Sequence, residues 1–211
     1  MVNRSRPPNE TNNESTDTDE TLMERLRDGD DLALNALMDR WEKPLIGFVS
    51  RYTDSRSDAL ELAQETFVRI YENRGRYRAG GKFSTRMFTI AVNLCRNHAR
   101  WTKRHPSIAN LSEGGDDPVE RIAADVDSPD VGSMRSDDAA LVRQAIQELP
   151  HDLRTAVLLS EYQGLSHAEI AEVQWCSLKA VETRLYRARK LLRASLQQFF
   201  ETDTSTRKPT K

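Results

Sequence analysis

The sequence predicts an all-α fold in two small helical domains, on three observations. Apolar residues recur at steps of three and four, the spacing that gathers them on one face of a helix, and residues 19–104 show no strand alternation. At 37% hydrophobic and 7% aromatic over 211 residues, the chain is poor in material for one large core. From His105 to Asp138 the periodicity fades, and nine acidic residues stand against Arg121 and Arg135. The reading is two helical bundles, 19–104 and 138–199, joined by a flexible acidic linker at 105–137, with disordered tails at 1–18 and 200–211.

Residues 1–18 are Asn, Thr, Ser, Pro and acids, with too little apolar surface to offset the entropy of ordering them. From Asp19, DETLMERLRDGD predicts a short helix ending near Gly29. A longer one follows, turning Leu34, Leu37, Met38, Trp41, Leu45 and Phe48 inward, and Pro44 should kink it or open a second segment. The helix Ser57–Arg74 buries Ala59, Ala63, Phe67, Ile70 and Tyr71 and projects Glu61, Gln64, Glu65, Arg69 and Glu72. That polar face is either simply solvated or a partner site.

Gly75–Ser84, GRYRAGGKFS, is a loop with three glycines and three basic residues around Tyr77 and Phe83. It is either an ordinary turn or a place where positive charge and aromatic faces receive an unstacked base and its phosphate. Ser84 is expected to cap the next helix, TRMFTIAVNLCRNHARWTKR, whose inward side is Met87, Ile90, Leu94 and Trp101 with Ala91, Cys95 and His98 beside them. Its other side lines up Arg86, Thr89, Asn93, Arg96, Asn97 and Arg100, a basic row with amides that suits phosphates and base edges. Cys95 and His98 stand at i and i+3, but no second Cys/His pair accompanies them, so no metal site is expected.

Beyond the linker, which includes a brief helix at DPVERIAADV, a helix runs from a Ser136 cap to Pro150, with Val142, Ala145, Ile146 and Leu149 inward. Another, HDLRTAVLLSEYQG, packs Leu153, Ala156, Val157 and Leu159 and ends at Gly164. Leu165–Arg193 then reads as a helix-turn-helix: Ser166 with Glu169 three residues on forms a capping box, and Ser177 offers a second cap. In its second helix Leu178, Val181, Leu185, Ala188 and Leu192 form an apolar stripe, and Lys179, Thr183, Tyr186 and Lys190 fall almost opposite. Glu182, Arg184 and Arg187 flank them, and from Leu178 to Arg193 there are six basic residues and one acid. Such a helix suits the major groove, with its N-terminal residues at base edges. A core helix with a solvated charged face is the plainer alternative. Trp175 stands in the turn where Gly would ease a left-handed conformation, so the indole is expected to cover the helix junction by a different turn.

The net charge of −2 hides a basic reader behind an acidic linker. Two distant cysteines, Cys95 and Cys176, make no disulfide framework and suit a reducing cytoplasm. No signal peptide or membrane-length apolar run is present in the sequence, so no membrane insertion is expected. No Gly-rich phosphate loop or nucleophile with an adjacent His and acid appears, so no catalytic residue, cofactor or small-molecule substrate is expected.

Three motifs in this order, LAQETFVRIYENR, KFSTRMFTIAVNLCRNHAR and LPHDLRTAVLLSEYQGLSHAEIAEV followed by SLKAVETRLYRARKLL, resemble the bacterial sigma-70 family, in particular its short extracytoplasmic-function group. The likeness covers residues 19–104 and 138–197. It implies two bundles of the region 2 and region 4 kinds, and a sigma factor that directs core RNA polymerase to promoters. Glu61, Gln64, Glu65 and Arg69 match the surface that docks on the β′ clamp helices, and the second domain matches one that meets the β flap. Arg78, Lys82, Phe83 and Arg86, with Asn93, Arg96, Asn97 and Arg100, match the parts that read the −10 element and capture a flipped base. Lys179, Glu182, Thr183, Arg184, Tyr186, Arg187 and Lys190 match the −35 contact. An anti-sigma protein is implied as a further partner. The chain departs from the pattern with Arg86 where Trp is usual, Trp175 where Gly is usual, and Glu182 at a commonly basic position, where an acid would accept from a cytosine amine. The rival reading, a stand-alone helix-turn-helix regulator, needs an α/β receiver or ligand domain upstream, and the front half offers none.

Overall fold

A computed structural model of the chain describes residues 17–78, 80–105 and 136–206. Most of the expected N-terminal tail, nearly all of the linker with its short helix, and the last five residues lie outside the described residues. Among those described there is no strand.

The first domain is a bundle of α1 (Asp19–Arg27), α2 (Leu32–Thr53), α3 (Arg56–Glu72) and α4 (Phe83–Arg104), with a 3₁₀ turn at Arg74–Arg76. Thr18 caps α1 by accepting from the Thr21 amide, and Asp19 and Glu20 meet the positive end of its dipole. α2 runs unbroken through Pro44, so of the two expected effects a second segment does not open there. Proline forfeits the bond to the Arg40 carbonyl, but Leu37, Leu45 and Phe48 on either side are each 0% exposed, and their burial holds the helix together. Ser55 caps α3, accepting from the Asp58 amide at 3.3 Å.

α4 begins one residue before the expected Ser84 cap. Lys82 occupies the cap position without a side-chain bond, and Glu20 of α1 accepts from the Phe83 amide at 3.3 Å instead. Phe83 is thereby drawn into the core, with ring centroids 6.1 Å from Trp41, which in turn lies 6.2 Å from Phe88; Phe88 meets Phe48 edge-on at 5.2 Å. The Trp41 indole N–H donates to Asp19 at 2.8 Å, so the aromatic cluster has its one polar edge satisfied. Trp101, expected inward, is 41% exposed and stacks on His105, because the last buried side chain of α4 is Cys95.

The second domain comprises α5 (Ser136–Glu148), α6 (His151–Val157) continued by a π-type turn at Leu158–Tyr162, α7 (His167–Val173) and α8 (Leu178–Thr206). Ala145, Ile146 and Leu149, Ala156 to Leu159, Ile170 and Val173, and Val181, Leu185 and Ala188 fill its core. α8 continues past the expected boundary at 199 to Thr206.

The two domains pack on one another, α7 against α4, and α5 and the π-type turn against α2. Arg154 is central to this seam: its guanidinium donates to the Tyr52 carbonyl at 2.8 Å, to the Leu149 carbonyl at 3.3 Å and to the Gln147 carbonyl. These are C-terminal carbonyls of α2 and α5 that have no partner within their own helices, and a cation also complements both dipoles. Gln147 adds a bond to the Arg51 carbonyl at 2.8 Å, and the Arg51 guanidinium lies 4.5 Å from the centre of the Tyr162 ring. Arg154→Met should therefore cost about 2–3 kcal/mol, the scale of charge-assisted bonds lost from half-buried carbonyls. Urea unfolding reads this as a lowered midpoint, whereas Trp101→Ala should stay within about 0.5 kcal/mol of the parent.

Candidate nucleic-acid interface

The helix-turn-helix is built by two caps and a strained residue. The Ser166 hydroxyl accepts from the Glu169 amide at 3.3 Å, and the Glu169 carboxylate accepts from the Ser166 amide at 2.8 Å and from its hydroxyl at 2.6 Å, the full capping box. Trp175 itself takes the left-handed conformation at φ 51, and the Cys176 amide closes the turn on the Ala171 carbonyl at 3.0 Å. A side chain there costs about 1–2 kcal/mol relative to Gly. The indole is 83% exposed, so it does not cover the helix junction as the sequence suggested. Ser177 then accepts from the Ala180 amide at 3.2 Å and starts α8.

Val181, Leu185 and Ala188 form the buried stripe of α8, but Leu178, expected among them, is 53% exposed. At 100° per residue it lies on the border of that stripe. Lys179 and Glu182, paired at 3.2 Å, stand on the open face with Tyr186, Arg187 and Lys190. The Thr183 hydroxyl donates to the Lys179 carbonyl at 2.8 Å. Arg184 departs from its expected place on this face. Its guanidinium reaches the Asp152 carboxylate at 3.2 Å and the Gln174 side-chain oxygen and Cys176 Sγ at 3.1 Å each, so it buttresses the turn from within.

The basic row of the first domain is divided. Asn93, Asn97 and Arg100 are exposed on α4, and Arg78 is exposed before it. Phe83 is 0% exposed and offers no ring face to a base, which corrects its expected role in base capture. Arg86 donates to the Asn73 carbonyl at 3.1 Å and lies 5.6 Å from the centre of the Tyr77 ring. Lys82 and Arg96 face the second domain: Lys82 lies 2.8 Å from Glu169, and Arg96 lies 3.4 Å from His151 Nε2 and 3.6 Å from the Asp152 carboxylate. Between the domains a cleft of about 770 Å³ is bordered by Arg78, Lys82 and Arg86 on one side and Glu172, Trp175 and Cys176 on the other.

Asp152 thus stands between two cations, Arg96 of α4 and Arg184 of α8. His151 beside it packs edge-on to Tyr52 at 5.2 Å. Burial, reinforced by the Arg96 charge, pushes the His151 imidazole below its ordinary value. The hydrogen bonds from Lys82 and Ser166 hold the Glu169 carboxyl down to about 2.

On α3, Glu61, Gln64 and Arg69 are exposed, and Glu65 pairs with Arg69 at 2.7 Å. Val68, 49% exposed, places an apolar side chain among them that the polar reading passed over. His98 lies 3.4 Å from Asp58 and Cys95 is buried, and among the described residues no group of three His, Cys, Asp or Glu is placed to hold a metal ion.

Residues 37–105 match Sigma-70 region 2 and residues 139–192 match Sigma-70, region 4. The chain is 34% identical over 181 residues to the RNA polymerase sigma-H factor of Pseudomonas aeruginosa, covering 85% of this chain and 94% of that protein. It is also 34% identical over 184 residues to the ECF RNA polymerase sigma-E factor of Haemophilus influenzae, covering 85% and 96%. Among solved structures, CnrH in complex with the cytosolic domain of CnrY superposes with a TM-score of 0.62 at 22% identity over 86% of this chain and 99% of that one. The chain belongs to the extracytoplasmic-function group of the sigma-70 family of RNA polymerase sigma factors.

The sign of the pH dependence at the seam follows from the two perturbed groups. His151 is neutral when packed, so its contribution is complete above its ordinary value of 6.5 and is lost as pH falls below it. Glu169 contributes fully above 4.5 and loses its share only as pH falls towards 2. Acidification from about pH 7.5 to 5.5 should therefore loosen the seam through His151 alone. Energy transfer between dyes on α4 and α8 should fall over that interval, and His151→Phe should flatten the response.

Proposed function

We propose that this chain, as a sigma factor, docks on core RNA polymerase through the α3 surface of Glu61, Gln64, Glu65 and Arg69, with Val68 supplying apolar contact. The second domain meets the β flap. Promoter sequence is read at two places: the −35 element by Lys179, Glu182, Thr183, Tyr186, Arg187 and Lys190, and the −10 element by Asn93, Asn97 and Arg100 with Arg78, Lys82, Arg86 and Arg96. Phe83 supports that surface from below, and Arg184 holds the helix-turn-helix in shape. The polymerase supplies the chemistry of initiation.

The observation that carries this reading is the asymmetry between the two basic faces. The leading face of α8 is open, whereas Lys82, exposed itself, has its charge paired with Glu169, and the half-buried Arg96 is held between His151 and Asp152. Reading both elements at once requires the domains to part, and docking on polymerase makes the second contact effectively intramolecular. The acidic linker then spans the distance between sites, held extended in a basic channel of the enzyme. An anti-sigma protein that holds the chain inactive is a further partner, supported by one solved structure of the same fold: the sigma factor RpoE in complex with the anti-sigma factor NepR from Bartonella quintana superposes with a TM-score of 0.58 at 20% identity over 77% of this chain and 96% of that one. No helix among the described residues is long and apolar enough to cross a membrane, and the proposed work on DNA and polymerase supports a cytoplasmic location.

Run-off transcription with purified core polymerase on a promoter library tests the whole reading, and failure to initiate with any cognate core enzyme overturns it. Gln64→Ala combined with Arg69→Ala should reduce co-purification with core while leaving the unfolding midpoint unchanged. Arg187→Ala should weaken promoter binding on all sequences and flatten the salt slope by about one unit, whereas Glu182→Ala should change the sequence selected.

A further inference from the structure

We propose that Leu178 is a specificity-determining residue of the −35 contact and that it reads the C5-methyl group of a thymine in the major groove. The inference rests on the assignment of α8 as the −35 reader and adds to it an apolar element that neither the basic composition nor the polar face of that helix indicates.

Leu178 is the first residue of α8 and is 53% exposed, while Val181, Leu185 and Ala188 behind it complete the buried stripe. The core gains little from it. One turn on stands Glu182 and a turn further Tyr186, 70% exposed, so positions i, i+4 and i+8 form one surface ridge that is apolar, acidic and aromatic in order. Trp175, 83% exposed at its left-handed turn, lies just ahead of the Ser177 cap and adds a second large apolar surface at the same end of the helix. One exposed leucine is ordinary on a protein surface, but two large apolar side chains at the leading end of a reading helix are a patch in need of a partner.

The surroundings specify that partner. Lys179, Lys190 and Arg187 line one flank of the ridge with positive charge, which favours a polyanion over another apolar protein face. Of the base edges displayed in the major groove, only thymine presents a methyl group, and a branched aliphatic side chain is its natural contact. Glu182 fits the amine of cytosine on the same grounds. Four residues separate the two along the helix, about 6 Å at 1.5 Å per residue, or roughly two base steps at 3.4 Å each. The selected −35 element should therefore contain a cytosine and a thymine within about two base pairs of each other.

Deoxyuridine lacks only the thymine methyl and so isolates the contact. The full chain, reconstituted with core RNA polymerase, is first used to select a duplex from a library randomised across the −35 region. Each thymine of that duplex is then replaced singly by deoxyuridine and holoenzyme binding is measured. One replacement should weaken the parent about fourfold, the scale of one buried methyl-sized group. Leu178→Ala, at an exposed position, should keep the unfolding midpoint, bind the thymine duplex about fourfold more weakly and lose its sensitivity to deoxyuridine at that position. Equal binding of every deoxyuridine duplex by the parent overturns the proposal, as does a Leu178→Ala protein that keeps the sensitivity. A Leu178→Ala defect in core binding alone assigns the patch to a protein contact and also overturns it. If α8 gives no footprint upstream of the −10 region, the −35 assignment itself falls, an outcome distinguished from the others by the absence of protection.

Discussion

The arrangement depends on unpaired carbonyls at two helix ends being satisfied by one cation from α6. α2 and α5 both terminate at the seam, and without Arg154 their last carbonyls would be withdrawn from water with nothing to accept from. Burial pulls the Arg154 guanidinium below its ordinary value, the mark of the desolvation it bears. That cost is offset by three carbonyl acceptors and two helix dipoles. Once this joint is set, α7 is carried over α4, and the capping box of the helix-turn-helix comes within reach of Lys82.

Glu169 consequently has two structural duties. Its backbone-directed bonds to Ser166 begin the first helix of the DNA-binding motif, and its second oxygen pairs with a lysine on the other domain. A local folding signal and a long-range contact share one carboxylate. Asp152 is used in a similar way, since its carboxylate meets Arg96 and Arg184 while its backbone carbonyl accepts from Gln174 at 2.9 Å. The residue that shapes the turn is therefore also the residue that α4 leans upon.

Much of this was legible in the sequence where the signal was local and periodic. The capping box, the Ser177 cap, the buried Val181–Leu185–Ala188 stripe and the boundary at Gly164 all follow from residues within a few positions of each other. The misreadings share a different cause. Phe83 looked like a loop aromatic because its partners, Trp41 and the Glu20 cap, lie far away in the chain. Trp101 and Leu178 kept helical spacing beyond the point at which a neighbouring element was there to cover them. Arg184 read as one more basic residue on a basic helix, and only the folded turn shows three acceptors converging on it. Trp175 was judged by the usual preference for Gly, whereas the surrounding hydrogen bonds are sufficient to impose the strained conformation on a bulky residue.

The carboxylates of the seam have an electrostatic consequence. Glu169 and Asp152 hold anionic oxygens against Lys82 and Arg96, so in the closed molecule part of the positive charge on that face is already compensated from within. A polyanion approaching that face exchanges places with charges already present instead of meeting bare cations. Fewer small ions are displaced than a count of lysines and arginines implies, and the thermodynamic pull of nucleic acid on the isolated chain is correspondingly blunted. Attraction is restored only when the competing anions are carried away on their own helices.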